Sequence, residues 1–262
     1  MLTGERSVSQ TGLDAVALKP KECDVLAGLD VPVDTVAVDY EGREYRPSAD
    51  VLRELAADKE VRLTIPVRAD GFDPLGDDAL WDEVPDSVRR ILVAGHSAYL
   101  SEAESRRAVA PRLGAGVERA PDAWVGTAGV ERIALAAGGT QYELLSRTTA
   151  RDLRSLRAAG YDGEVAVYAP TVLSEDEDEI LDGVGAYAAR RPPVDAALPD
   201  GAATDADAAG RAREVLSKAV RDYGLVGTAE TVREQVTELK EAGADVVVGY
   251  PARGVESFAE SR

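Results

Sequence analysis

Short β-branched apolar runs alternate along this chain with longer amphipathic stretches, and that rhythm narrows the possible folds more than any other feature. Eight runs have strand character: 13–20 (LDAVALKP), 33–40 (VDTVAVDY), 61–69 (VRLTIPVRA), 89–96 (RRILVAGH), 111–116 (PRLGAG), 130–139 (VERIALAAGG), 164–170 (EVAVYAP) and 244–251 (ADVVVGYP). Helical stretches are expected at 48–58, 101–109, 118–128, 148–159, 174–190 and 211–242, the last broken near Gly224 and Gly227. Strand and helix in turn imply parallel strands joined by right-handed crossovers. Several runs are apolar at nearly every position, as happens when a strand has helices outside it and a packed barrel within. Eight such units match a (β/α)8 TIM barrel, and a length of 262 residues suits one. The rival, an open doubly wound sheet, wants a Gly-rich turn after its first strand, and LKPKECD has none.

Residues 13–262 therefore read as a single barrel domain behind a flexible N-terminus at 1–12. The segment 190–210, rich in Pro, Ala, Asp and Gly and without periodicity, reads as an exposed insertion in the seventh unit.

Charge excludes some partners. The net charge is −18, from 48 acidic residues against 30 basic ones. Nucleic acid and anionic membrane surfaces would both be repelled. Few lysines, one Cys, one Met and scarce large aromatics accompany this acidity. The combination points to a halophilic, archaeal protein, because high salt screens the self-repulsion of such a surface. Cys23 has no partner in the chain, so no internal disulfide forms and a reducing compartment fits. MLTGERSVSQTG lacks the apolar core of a signal peptide, and no run approaches the roughly 20 residues of a membrane span. A cytoplasmic location is expected.

The segment 226–251 (VGTAETVREQVTELKEAGADVVVGYP) is the clearest single unit. Thr228 is placed to cap a helix through its hydroxyl, and Glu230 puts negative charge in the first turn. Val232, Val236 and Leu239 fall on one face, Gly243 suits the residue after the last turn, and a strand follows. Its wording resembles the closing unit of the bacterial luciferase-like family of flavin- and deazaflavin (F420)-dependent oxidoreductases. VDTVAVDY, KEVRLTIPVRA, GAGVERAPDAWVGTAGVERIALA and EVAVYAPTVLSEDEDEI are similar to other parts of that family in the same order.

The resemblance implies a TIM barrel holding F420 or FMN at the C-terminal ends of its strands, with hydride transfer to or from a small organic substrate. It places Gly114, Ala115 and Gly116 at a turn after the fifth strand that approaches the cofactor phosphate, with Arg119 adding positive charge. Gly138, Gly139 and Thr140 then end the sixth strand and touch the ligand. Tyr168 closes the seventh strand, and Tyr250 and Arg253 the eighth, so that tyrosines and arginines either surround a planar, anionic cofactor or form a plug of hydrogen bonds and ion pairs. The chain departs from the family in two ways. Asp39 and Tyr40 stand where many members have Asp-His, and the fourth unit is short. Both departures favour an alternative: a cofactor-free luciferase-like barrel with a binding or structural role, as a homodimer.

His96, the only histidine, ends the fourth run in VAGHSAY, where a barrel places catalytic side chains. Asp39 and Tyr40 end the second, and the three are the candidate catalytic residues. Arg68 and Asp70 close the third. Lys19 ends the first strand and raises a remote third reading, a Schiff-base lyase. A single His and a single Cys argue against a transition-metal site. The acidic run SEDEDE (174–179) suits a helix N-terminus rather than a calcium loop.

Overall fold

The alternation closes on itself. The computed structural model describes residues 8–259. Eight parallel strands form the barrel: β1 (Ala15–Leu18), β2 (Thr35–Val38), β3 (Glu60–Pro66), β4 (Val88–Val93), β5 (Trp124–Gly126), β6 (Thr140–Leu144), β7 (Val165–Val172) and, last in the ring, β9 (Val246–Pro251). β9 lies between β7 and β1, with Ala15 opposite Val248 and Tyr168 opposite Val248 from the other side. The two-residue β8 (Leu225–Val226) continues the edge of β7 that β6 leaves, pairing with Thr171 and Val172. The architecture is the expected (β/α)8 TIM barrel.

Helices fill most crossovers. α1 (Ala49–Leu55) follows β2; α2 (Glu102–Ser105) and α3 (Val109–Arg119) follow β4; α4 (Glu131–Ala137) follows β5; and α5 (Thr149–Ala158) follows β6. After β7 come α6 (Glu177–Ile180), a π-helical turn at Leu181–Gly185, α7 (Ala186–Ala189), α8 (Pro192–Asp195) and α9 (Gly210–Tyr223). α10 (Ala229–Ala242) leads into β9. Here the sequence expectation holds in detail: Thr228 Oγ1 accepts from Thr231 N–H at 3.1 Å, and Gly243 takes φ +119° at the end of the helix. Residues 8–12 are not a flexible lead. Val8 and Thr11 are buried, and the 3-10 turn Val8–Gln10 packs on α10. The rest of the expected flexible segment lies outside the described residues.

Two expected strands are helices. Residues 111–116 lie inside α3 and 130–137 largely in α4, while the true β5 lies within the expected helix 118–128 and β6 begins at Thr140. Leu113 and Gly116 are buried on one face of α3, a spacing that a six-residue window does not separate from a strand. Pro111 sits in the first turn of α3, where its missing N–H has no helical partner to lose.

The barrel interior is asymmetric. β1 and β2 contribute Ala15, Ala17 and Ala37, whereas β5, β6, β7 and β9 contribute Trp124, Tyr142, Tyr168 and Tyr250. Large rings from one wall fill the space left by small residues on the other. At the N-terminal end of the strands the interior is closed by charge. Buried Arg62 pairs with Glu60 at 2.8 Å, stacks 4.1 Å from the Trp124 ring and donates to the Asp122 carbonyl. Arg89 joins Glu60 to Asp122. The C-terminal end has no such plug among the described residues.

The segment between β7 and β8 builds an apolar cluster of its own from Val172, Leu181, Val184, Leu216, Val220 and Tyr223. Residues 190–210 are mostly exposed, as expected, but Val194 and Ala208 anchor them in that cluster. The acidic run begins α6, where Asp176 accepts from two backbone N–H groups, and Glu177 pairs with Arg221 of α9 at 2.7 Å.

Candidate functional site at the barrel mouth

A cavity of about 500 Å3 opens at the C-terminal ends of the strands. Its floor is set by four strands: Lys19 follows β1, Asp39 follows β2, and Thr64 and Tyr168 lie within β3 and β7. Tyr142 and Leu144 of β6 form one wall. Tyr40, His96 and Tyr99 form the opposite rim, with Tyr40 edge-on to Phe72 and to Tyr99 at centroid distances of 5.7 and 6.2 Å. The seventh unit folds back over the opening and contributes Tyr187, Arg190 and Arg191.

Asp39 is the chemical centre. Its carboxylate takes long hydrogen bonds from Thr64 Oγ1 and Tyr168 Oη, both at 3.5 Å, so it is weakly held. Burial lifts its pKa from an ordinary 3.8 to about 6, against the opposing pull of Lys19 and the two hydroxyls. Burial likewise raises the Glu41 carboxyl, assisted by the charge on Glu22. The phenols of Tyr142 and Tyr168 are pushed well above their usual range, first by burial and then by the Asp39 charge, and stay protonated as donors. Lys19 Nζ lies 3.8 Å from the centre of the Tyr250 ring and 3.4 Å from Glu22 Oε1. Tyr250 stacks on Tyr168 and donates its hydroxyl proton to Glu22.

Three buried side-chain atoms lack a hydrogen-bond partner among the described residues: Glu41 Oε2, Tyr142 Oη and Arg191 Nε. All three residues line this cavity. Buried polar atoms are nearly always paired, so their convergence marks a place where a ligand or ordered water completes the bonding.

Of the residues singled out from sequence, Asp39, Tyr40, His96 and Tyr168 come together here. His96 is exposed on the rim, and its Nδ1 accepts from the Ala98 N–H at 3.1 Å, which leaves Nε2 free to face a ligand. Tyr250 stands behind Tyr168 rather than on the wall. Arg253 is exposed and pairs with Glu179 at 3.4 Å, outside the cavity. Lys19 lies on the floor, bound into the Glu22 and Tyr250 contacts.

The glycine segments are corrected. Gly114, Ala115 and Gly116 are helical residues of α3, and Arg119 at its end pairs with Asp78 and Asp82 over the Trp81 ring. A Cβ on Gly116 would come within 2.9 Å of Leu92, so this glycine serves close packing of helix on barrel. Gly138 and Gly139 make the turn from α4 into β6, both with positive φ, and Thr140 begins β6. That turn is at the N-terminal end of the strands, across the barrel from the cavity. A Cβ on Gly139 would strike the Ala123 carbonyl at 2.8 Å.

Sequence reasoning missed Glu41, Thr64, Tyr99, Tyr142, Tyr187, Arg190 and Arg191. Tyr142 was hidden by the misplaced sixth strand. The last three lie at the join of a helix and an insertion, where the one available signal was an Arg-Arg pair in a strongly acidic chain.

Fold and site together define a TIM barrel with a tyrosine-walled cavity at the C-terminal ends of its strands. A model described as "Family of unknown function (DUF7388)" matches residues 8–258, and the chain belongs to that family. A search of curated proteins finds no match. Among the described residues no helix is long and apolar enough to cross a membrane.

Proposed function

We propose that the chain is an enzyme that moves a proton to or from a small organic molecule bound at the barrel mouth. Asp39 is its acid–base group, and Tyr142 and Tyr168 are fixed hydrogen-bond donors. The carrying observation is the convergence of Glu41 Oε2, Tyr142 Oη and Arg191 Nε, all without partners, on one cavity. Each unpaired buried atom costs about 1–3 kcal/mol, a penalty that a bound ligand relieves. A carboxyl that titrates close to neutrality gives or takes a proton with little mismatch in either direction. The Tyr142 phenol, which has no partner among the described residues, stabilises negative charge developing on the substrate, and the Tyr168 phenol donates to Asp39. The tyrosine rings offer flat apolar surface to the substrate's body.

The reading is tested by incubating the protein in D2O with small-molecule extract of a halophilic archaeon, the source that its acidic, lysine-poor composition supports. Mass spectrometry is expected to find a metabolite that gains solvent deuterium with the wild type and not with Asp39→Asn. Absence of any such species contradicts the reading.

The resemblance to luciferase-like oxidoreductases supports a second reading, hydride transfer with F420 or FMN, and the five tyrosines of the cavity wall suit a planar ring. The phosphate does not fit where the resemblance puts it. Gly114–Gly116 lie within α3, Gly138–Thr140 are at the far end of the barrel, and the residues after β7 are acidic. No step is therefore assigned to either cofactor. A visible absorption spectrum of protein purified from its native host separates the readings, since a bound flavin or deazaflavin colours the preparation and an acid–base enzyme is colourless.

A further inference from the structure

The cavity has a charge axis. Its floor carries two carboxyls, Asp39 and Glu41, against one cation, Lys19, which is tied to Glu22, and its roof carries Arg190 and Arg191. Neither arginine forms an ion pair among the described residues, in a chain where carboxylates outnumber basic groups by 48 to 30. Arg107, Arg112, Arg119, Arg213 and Arg221 each find a carboxylate; Arg190 and Arg191 find none among the described residues and line the cavity instead.

Arg191 is held ready. Its guanidinium lies over the Tyr187 ring at 4.3 Å and near Tyr223 at 5.6 Å, and it donates to Tyr187 Oη. Stacking of this kind occupies the faces of the guanidinium and leaves its edge for in-plane hydrogen bonds. Nε, on that edge, is buried and without a partner. Pro192 and Pro193 come directly after and hold Arg191 in extended backbone at φ −77° and ψ 125°. Arg190 lies 5.9 Å from the centre of the same Tyr187 ring and lines the opening.

We propose that the ligand of this cavity is a small organic anion whose oxyanion group, a carboxylate or a phosphate, is bound by Arg191 and Arg190. Its uncharged end lies along the tyrosines toward Asp39. Guanidinium groups pair with oxyanions through charge-assisted, often bidentate, hydrogen bonds. The acidic floor disfavours the reverse orientation, so the arginines fix which end of the molecule meets the proton-transfer group. This inference rests on the cavity being the ligand site.

The test uses His96, the single imidazole of the chain, as a reporter on the cavity rim. Its ring proton signals are followed by NMR, at constant KCl, during titration with benzoate, phenyl phosphate and the neutral benzamide. Benzoate or phenyl phosphate is expected to shift them saturably and benzamide to leave them unmoved; the tighter of the two anions identifies the oxyanion. Arg190→Gln, at an exposed side chain, should weaken the anion several-fold. The double variant Arg190→Gln/Arg191→Gln should weaken it at least tenfold. If Arg191 substitution disturbs folding, the ligand-free His96 signal reveals it and the Arg190→Gln arm decides. Benzamide binding as tightly as benzoate, or anion affinity indifferent to the arginines, overturns the proposal while leaving the cavity as a ligand site. No shift with any of the three probes overturns it together with the reading on which it rests.

Discussion

Replacing Asp39 with Asn should stabilise the protein, and by an amount that depends on pH. In the folded chain this carboxyl titrates at about 6 rather than 3.8, so the fold prefers it protonated. As pH rises from about 4, the unfolded chain loses this proton first and wild-type stability falls; the decline levels off above the folded pKa. The full displacement corresponds to about 3 kcal/mol. Asn has similar shape and no charge, so it escapes the penalty. Its advantage over the wild type should be about 3 kcal/mol at pH 8 and roughly half that at pH 5. At pH 8 that is a rise in melting temperature of roughly 6–12 °C for a chain of this size. The assay is urea unfolding of both proteins across pH 5–8 at fixed KCl, and the difference between them cancels the titrating groups that do not interact with Asp39. An Asn variant equal to or less stable than wild type at pH 8, or an advantage that does not grow with pH, refutes the argument. A side chain that destabilises its own fold at working pH is what a group retained for chemistry looks like.

Other outcomes rest on the packing and hydrogen bonds already described. Gly114→Ala should stabilise by about 0.5–1 kcal/mol, because the site is helical and a Cβ there meets nothing within 4 Å. Gly116→Ala should instead destabilise by about 1–2 kcal/mol against Leu92, and both are read by denaturant unfolding. Asp73→Ala should cost about 3 kcal/mol in the same assay, since this buried carboxylate accepts from Arg112 at 2.9 Å, Arg107 at 3.2 Å and the Leu75 N–H. Tyr142→Phe should leave stability unchanged or raise it by about 1 kcal/mol, because the lost hydroxyl has no partner, while weakening any ligand that His96 reports.

Much of the fold was legible because the signals were redundant. From 228 to 251 a cap, an apolar face, a terminal glycine and a valine run all pointed the same way, and each appears in the structure. Legibility failed between 109 and 144. β5 has three residues, too few for a period, and the apolar face of α4 reads like a strand when only ten residues are considered. That one-element slip carried the expected phosphate glycines with it, since a strand-end assignment is only as good as the strand. Asp39, Tyr40 and His96 were found because they follow β2 and β4, and a barrel puts residues at the C-terminal ends of its strands at its mouth. Tyr168 does not close β7 as expected but lies in the middle of a strand that runs on to Val172, and it reaches the cavity as an inward-facing ring. Tyr187, Arg190 and Arg191 were out of reach. They arrive through the fold-back of the seventh unit after its π-helical turn, a tertiary event that no local pattern encodes.

The central claim is that Asp39 is a proton-transfer group poised by burial at the cavity floor. It is tested most directly by 13C NMR of the aspartate carboxyl carbons, with the Asp39 signal assigned through Asp39→Asn and titrated with pH. The account predicts a midpoint near 6, moving when a ligand fills the cavity. A midpoint at the ordinary 3.8, unmoved by any cavity ligand, would contradict it.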